Sequence, residues 1–238
     1  PHDEERVRVV TPSAQSRTQL PLMRLLQLAS PALPVRGYSY SQGLETAVES
    51  GIVCDERSAA AWIDDALTLV MARFEGPMLS RMLDAAERHD ADALHVFNAL
   101  FLASRETAEL RPETVQMGRS LRRLLGELEE TQVVTALLLP LQEPSYPCVW
   151  ACAAVAFELA HDEAHAGYFW SWAENQVMAA IKLVPLGQSA GQRILAKLAL
   201  RIAALARDAS GDEELLANFA PGLAIASSRH ETQYSRLF

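Results

Sequence analysis

Cys148, Cys152, His161 and His165 have the types and order of a tetrahedral zinc site, with three residues inside each pair and eight between the pairs. Zinc-binding cysteines usually sit on tight turns. These two lie in the apolar run Cys148–Phe157, which reads as a helix, where a free thiol behaves as a small hydrophobe. The stretch His161-Asp162-Glu163-Ala164-His165 lacks the glutamate directly after the first histidine that a zinc protease uses as general base, and reads as a solvated helix joint. Gly37-Tyr38-Ser39-Tyr40-Ser41 offers the serine of a nucleophile elbow without its second glycine, and no strand pattern precedes it. Gly187-Gln188-Ser189-Ala190-Gly191-Gln192 stands at a helix start, where backbone N–H groups can meet an anion, but it has no phosphate-loop lysine. No catalytic, cofactor-binding or metal-binding residue is therefore assigned. A metal-dependent hydrolase built on His161, His165 and nearby carboxylates is a remote reading.

Two further features concern contact rather than catalysis. Lys182 interrupts the mostly apolar stretch Val177–Leu186, where an ammonium must snorkel, pair, or meet a partner's carboxylate or phosphate. The segment Ser227–Phe238 mixes arginines with Tyr234, Leu237 and Phe238 and has too little apolar area to order itself. It reads either as a frayed end or as a tail that orders on a partner.

The elements that must position these residues are helical. Leu20–Leu28 has helical apolar spacing with Arg24 outside, and Ser30–Pro34 stops it. Ser39 with Gln42 forms a capping-box pattern, and Gly51 suits a left-handed helix end, which predicts a helix from about Tyr40 to Ser50. Ala60, Ile63, Ala66, Leu67 and Val70 continue the period until Gly76-Pro77 interrupts, and Met78, Leu79 and Leu83 resume it. Asp90 caps a helix carrying Leu94, Phe97, Leu100 and Phe101, and Glu113–Leu128 follows after a polar joint, Arg105–Pro112. Val133–Leu141 and Cys148–Phe157 are core helices, too short for the roughly 18 to 20 residues of a membrane span. Pro147–Ala160, Gly167–Val184 and Ser189–Ala206 complete the pattern, with no strand alternation and no repeat.

Composition agrees. Half of the 238 residues are hydrophobic, Ala and Leu dominate, and the expected fold is all-α, a single-domain bundle of about 8 to 10 helices. A net charge of −9 without a Lys/Arg run longer than a pair argues against nucleic acid. Three cysteines and a polar opening, Pro1-His2-Asp3-Glu4-Glu5-Arg6, fit a reducing cytoplasm and no membrane.

Three segments resemble one family. Leu25–Glu45 reads LLQLASPALPVRGYSYSQGLE, Ile181–Gln192 reads IKLVPLGQSAGQ, and Ile225–Phe238 reads IASSRHETQYSRLF. Together they resemble the urease accessory protein UreF from about Leu20 onward. Ala103–Arg111, ASRETAELR, is similar to the family's polar helix joint. The resemblance implies an all-α homodimer without cofactor that bridges UreD (also called UreH) and the GTPase UreG, for nickel insertion into apo-urease. Recruiting or gating the GTPase, activating it, or forming part of a nickel passage are the roles proposed for the family.

By position, the resemblance makes Tyr38, Ser39, Ser41, Gln42, Glu45, Arg105, Glu106, Lys182 and Gln188 partner-interface candidates. In the tail it adds Arg229, His230, Glu231, Gln233, Tyr234, Ser235 and Arg236. Lys182, or an exposed arginine such as Arg36 or Arg105, would act in trans if the chain activates the GTPase. Arg36 departs from the family's usual glycine, which would cost about 1 kcal/mol if that backbone is left-handed. Relatives tend to run a couple of residues past the position of Phe238, so part of a tail contact is expected to be missing here. The expected organisation is a flexible segment 1–18, an all-α domain 19–220 and a partner-binding tail 221–238.

Overall fold

The computed structural model describes residues 14–35, 42–105, 107, 109–209 and 220–230. All regular structure among them is helical: α1 (Ala14–Leu28), α2 (Leu44–Glu49), α3 (Glu56–Ala66), a π-helix (Leu67–Glu75), α4 (Gly76–Glu87), α5 (Ala91–Ala103), α6 (Leu110–Gly126), a short 3-10 turn (Glu129–Thr131), α7 (Gln132–Leu138), α8 (Tyr146–Ala156), α9 (His161–Leu183), α10 (Gln188–Asp208) and α11 (Pro221–His230). Counting α3, the π-helix and α4 as one continuous rod gives ten helices among the described residues, in line with the expected bundle.

The core forms around α8 and α9. α8 is apolar on every side, and its residues from Tyr146 to Ala154 are all buried, as a helix without a polar face must be. It packs against α4 and α6, and the long α9 lies against α10, α1, α2, α3 and α4. Trp150, fully buried, ties the two central helices by donating its indole N–H to the Ala164 carbonyl at 3.2 Å. Gly118 lets α6 approach the start of α8, because a Cβ there would overlap the Pro144 carbonyl.

Between α3 and α4 the interruption predicted at Gly76-Pro77 takes the form of a widened helix. Pro77 has no N–H to donate and its ring crowds the preceding turn; the Gly76 N–H reaches back five residues to the Met71 carbonyl. The wide turn leaves Phe74 and Glu75, adjacent in sequence, both buried.

Other boundaries differ from the sequence reading for identifiable reasons. Asp90 caps α5 as predicted, accepting the Ala93 N–H at 2.9 Å, and Gly51 closes the turn after α2 with φ 73°. α2 starts at Leu44, not near Tyr40. Gln42 and Gly43 are left-handed, with φ 49° and 85°, and the Gln42 side chain leaves the local cap for distant partners. α9 starts at His161, so Gly167 is interior; a side chain there would strike Leu25 of α1. On α1, Leu28 is buried and Leu25 half-buried, while Leu20, Met23 and Leu26 face outward, and Arg24 pairs with Glu130. No described helix is long and apolar enough to cross a membrane.

Candidate functional site

The zinc-like constellation does not assemble. Cys148 and Cys152 are fully buried in α8, where desolvation pushes the Cys152 thiol up to about 12 and raises Cys148 well above its ordinary value, against the thiolate a metal needs. His165 is committed elsewhere. Burial lowers its pKa, and both ring nitrogens are engaged, Nδ1 with the His161 carbonyl at 2.6 Å and Nε2 with Ser80 Oγ and the Gly76 carbonyl, each at 3.0 Å. His161 lies on the surface with Nε2 2.9 Å from Glu87 and Nδ1 4.0 Å from Asp84. Among the described residues these three are the grouping that could hold a metal, and each ring nitrogen already faces a carboxylate.

A buried polar cluster lies instead beneath α2, built by five elements. Glu75, at the end of the π-helix, receives Arg105 Nη1 at 2.9 Å on one carboxylate oxygen and the Tyr168 hydroxyl at 2.6 Å on the other. Both ion-pair side chains are less than a tenth exposed. The guanidinium also lies over the rings of Phe101, 4.2 Å from its centroid, and Phe74, 5.6 Å away. Arg105 Nε, fully enclosed, has no hydrogen-bond partner among the described residues.

Gln42 completes the cluster. Its amide Nε2 donates to Glu113 Oε1 at 2.7 Å, and its Oε1 accepts the Trp172 indole N–H at 2.8 Å. One side chain thus joins the turn before α2 to α6 and α9. Burial pushes Glu113 up to about 8, with Glu75 raising it further and the Gln42 and Arg105 contacts opposing, so at neutral pH it is mostly a neutral acid. Desolvation and the Glu75 carboxylate also keep Tyr168 protonated, which suits its role as donor. A cavity of about 70 Å³ lies among these groups, bounded by Leu33, Met117 and Asn175 on its other sides.

The cluster also supports α11. Gly43 comes so close to this helix that a Cβ would stand 2.9 Å from the Ser227 backbone nitrogen. Thr107 Oγ1 lies 3.0 Å from Ser227 Oγ and accepts the Leu110 N–H at 3.2 Å. Ser227 and Ala226 are buried by these contacts, so the start of the segment read as unable to order itself is packed against the body.

The sequence-predicted interface residues fall into two groups. Gln42 and Arg105 line the same buried cavity, Glu45 is buried on α2 just after Gln42, and Arg229 is exposed on α11. Lys182, in the last turn of α9, and Gln188, in the first turn of α10, are exposed on either side of the turn joining those helices. Arg105 is a correction: the reading of an exposed arginine fails because Glu75, Phe74 and Phe101 enclose it. Tyr38, Ser39, Ser41, Glu106, Glu231, Gln233, Tyr234, Ser235 and Arg236, together with Arg36 and the side chain of His230, lie outside the described residues. Sequence reasoning missed Glu75, Glu113, Tyr168 and Trp172. Its available signal was Glu75 as the one acidic residue in the mostly apolar stretch Ala66–Leu83.

The sequence profile of UreF matches residues 53–199, which includes the π-helix, Arg105, Glu113 and α9. The chain belongs to the UreF family. It is 56% identical over 224 residues to the urease accessory protein UreF of Azoarcus sp. (strain BH72), covering 92% of this chain and 95% of that one. It is 52% identical over 225 residues to UreF of Dechloromonas aromatica (strain RCB), covering 93% and 99%. A bifunctional urease accessory protein UreEF of Bordetella bronchiseptica is 49% identical over 222 residues, covering 91% of this chain and 51% of that one. This is a family of urease accessory proteins.

Proposed function

We propose that this UreF-family chain acts as a dimeric adapter in the cytoplasm, holding UreD (UreH) at one surface and the GTPase UreG at another so that nickel can be inserted into apo-urease. The observation that carries the reading is the separation of the candidate residues into two differently built sites. The first, beside α2 and α11, has a buried polar floor in which Gln42 bonds Glu113 and Trp172, and Glu75 pairs with Arg105 across the same cavity. A floor of that kind presents α11, and the tail beyond it, in one position, and we assign it to UreD. The second is the α9–α10 corner, where Lys182 stands in the last helical turn with its stem along an apolar helix end. We assign it to UreG.

The bifunctional UreEF relative supports a role within an assembly, since a chain like this one occurs there in one polypeptide with a second urease accessory function. The test is size-exclusion chromatography with light scattering of the chain mixed with its cognate UreD and UreG, with and without residues 231–238. Ending the deletion after His230 spares the Ser227 contact, which a cut at Ser227 would remove. The adapter reading expects a stable complex for the full chain and loss of UreD, but not of UreG, for the shortened one. A full chain that binds neither partner contradicts it.

The exposure of Lys182 favours a second role at the same corner, as a cation that gates or activates UreG in trans by reaching its nucleotide site. Faster GTP turnover with the full chain, lost in Lys182→Ala while the complex still forms, separates activation from recruitment.

A further inference from the structure

The charge on α6 is distributed unevenly. Its one acidic residue, Glu113, is buried, while Arg111, Arg119 and Arg123 are exposed along one side. These arginines line a broad open groove whose edge includes the exposed Pro34 and Pro112 and whose floor includes Val115. From Arg111 to Arg123 the ridge runs about 18 Å at the helical rise. Glu143, the single acidic residue among the described residues of the groove, pairs with Arg111 at 2.7 Å. Arg119 reaches the Gln142 carbonyl at 3.3 Å, a contact that leaves its charge uncompensated, and neither Arg119 nor Arg123 has an ion pair among the described residues. The chain as a whole carries 30 acidic against 21 basic side chains, so this face is locally cationic on an anionic molecule.

We infer that the α6 groove is a docking surface for an acidic segment of a partner protein, one whose carboxylates meet Arg119 and Arg123 while an apolar side chain covers Pro34 and Pro112. Charge complementarity selects the sign of the occupant, and the groove's other features select its class. Among the described residues no aromatic side chain lines it, so these residues offer bases nothing to stack on, and the overall charge of −9 opposes a long polyanion. The arginines are strung along about three turns of a helix, which suits carboxylates spaced on a peptide better than a small multivalent anion. Two exposed prolines add rigid apolar contact that a peptide can use. This surface is distinct from the two assigned above, and its test needs neither UreD nor UreG.

The experiment is fluorescence anisotropy of the full chain with a fluorescein-labelled Glu-Glu-Leu repeat peptide, alongside its Gln-Gln-Leu counterpart. The expected result is binding of the glutamate peptide alone, weakened by added salt and weakened about tenfold by Arg119→Glu with Arg123→Glu. Lys197→Glu with Arg207→Glu, which changes net charge equally on another exposed face, should weaken it by about twofold or less. Circular dichroism checks that both double variants keep their helices. Equal binding of the two peptides, absence of binding, or equal loss in both double variants overturns the inference. Displacement by pyrophosphate or by an oligothymidylate at lower concentration than by unlabelled glutamate peptide also overturns it, and reassigns the groove to that anion.

Discussion

The two predicted contact regions handle charge in opposite ways. Below α2, Arg105 and Glu75 are withdrawn from water and each is held by further groups, the guanidinium by two aromatic rings and the carboxylate by Tyr168. At the α9–α10 corner, Lys182 is exposed in the last turn of a helix, where the dipole favours a cation. A charge of the first kind fixes the shape of a surface; one of the second kind can move to a partner. Residues that look alike in a motif therefore need different experiments.

The largest effect expected from separating the two is on stability. Arg105→Ala would leave Glu75 buried without its cation and should cost about 3–5 kcal/mol in urea denaturation. Lys182→Ala should stay within about 0.5 kcal/mol of wild type. Comparable losses in both would erase the contrast.

Glu113 sharpens it through pH. Its folded pKa, about 8, is raised above the ordinary 4.5, so the protein gains nothing from Glu113 ionisation that the unfolded chain does not gain first. Its neutral form is shared by both states below about 4.5, where its contribution is fully present; stability is then lost as pH rises to about 8. Glu113→Gln, whose carbonyl can still accept from Gln42, should flatten the stability profile across that window. An unchanged slope in thermal melts from acid to mildly alkaline pH would show that Glu113 is ionised in the fold.

Smaller effects probe the edges of the buried region. Gly43→Ala combines a left-handed backbone with a clash against α11 and should cost at least about 1 kcal/mol, with increased proteolysis near residues 220–230 as the local readout. Trp172→Phe keeps an aromatic ring but removes the indole N–H that Gln42 accepts and part of the ring volume, and should cost at least about 1 kcal/mol in the same denaturation assay.

What could be read from the sequence was whatever a local pattern determines. The apolar run of α8, the Asp90 cap and the left-handed Gly51 follow from a few neighbouring residues, and so did the all-helical class. The capping pattern at Ser39 and Gln42 misled for the converse reason. The Gln42 amide is used on Glu113 and Trp172, which are 71 and 130 positions away. Arg105 in a polar joint looked exposed because its partner Glu75 lies 30 residues earlier, on a helix widened ahead of Pro77. The candidate site was legible as a list of motif residues, but the distinction between its buried floor and its exposed corner was not, since that division exists only after α2, α6, α9 and α11 have packed.

The most direct test of the two-surface account is a pair of pull-downs with UreG and UreD separately, using Lys182→Ala and the chain ending at His230. The account predicts reciprocal loss: Lys182→Ala keeps UreD and loses UreG, and the shortened chain keeps UreG and loses UreD. Loss of both partners by either variant, with the fold intact by circular dichroism, would contradict it and point to one continuous interface.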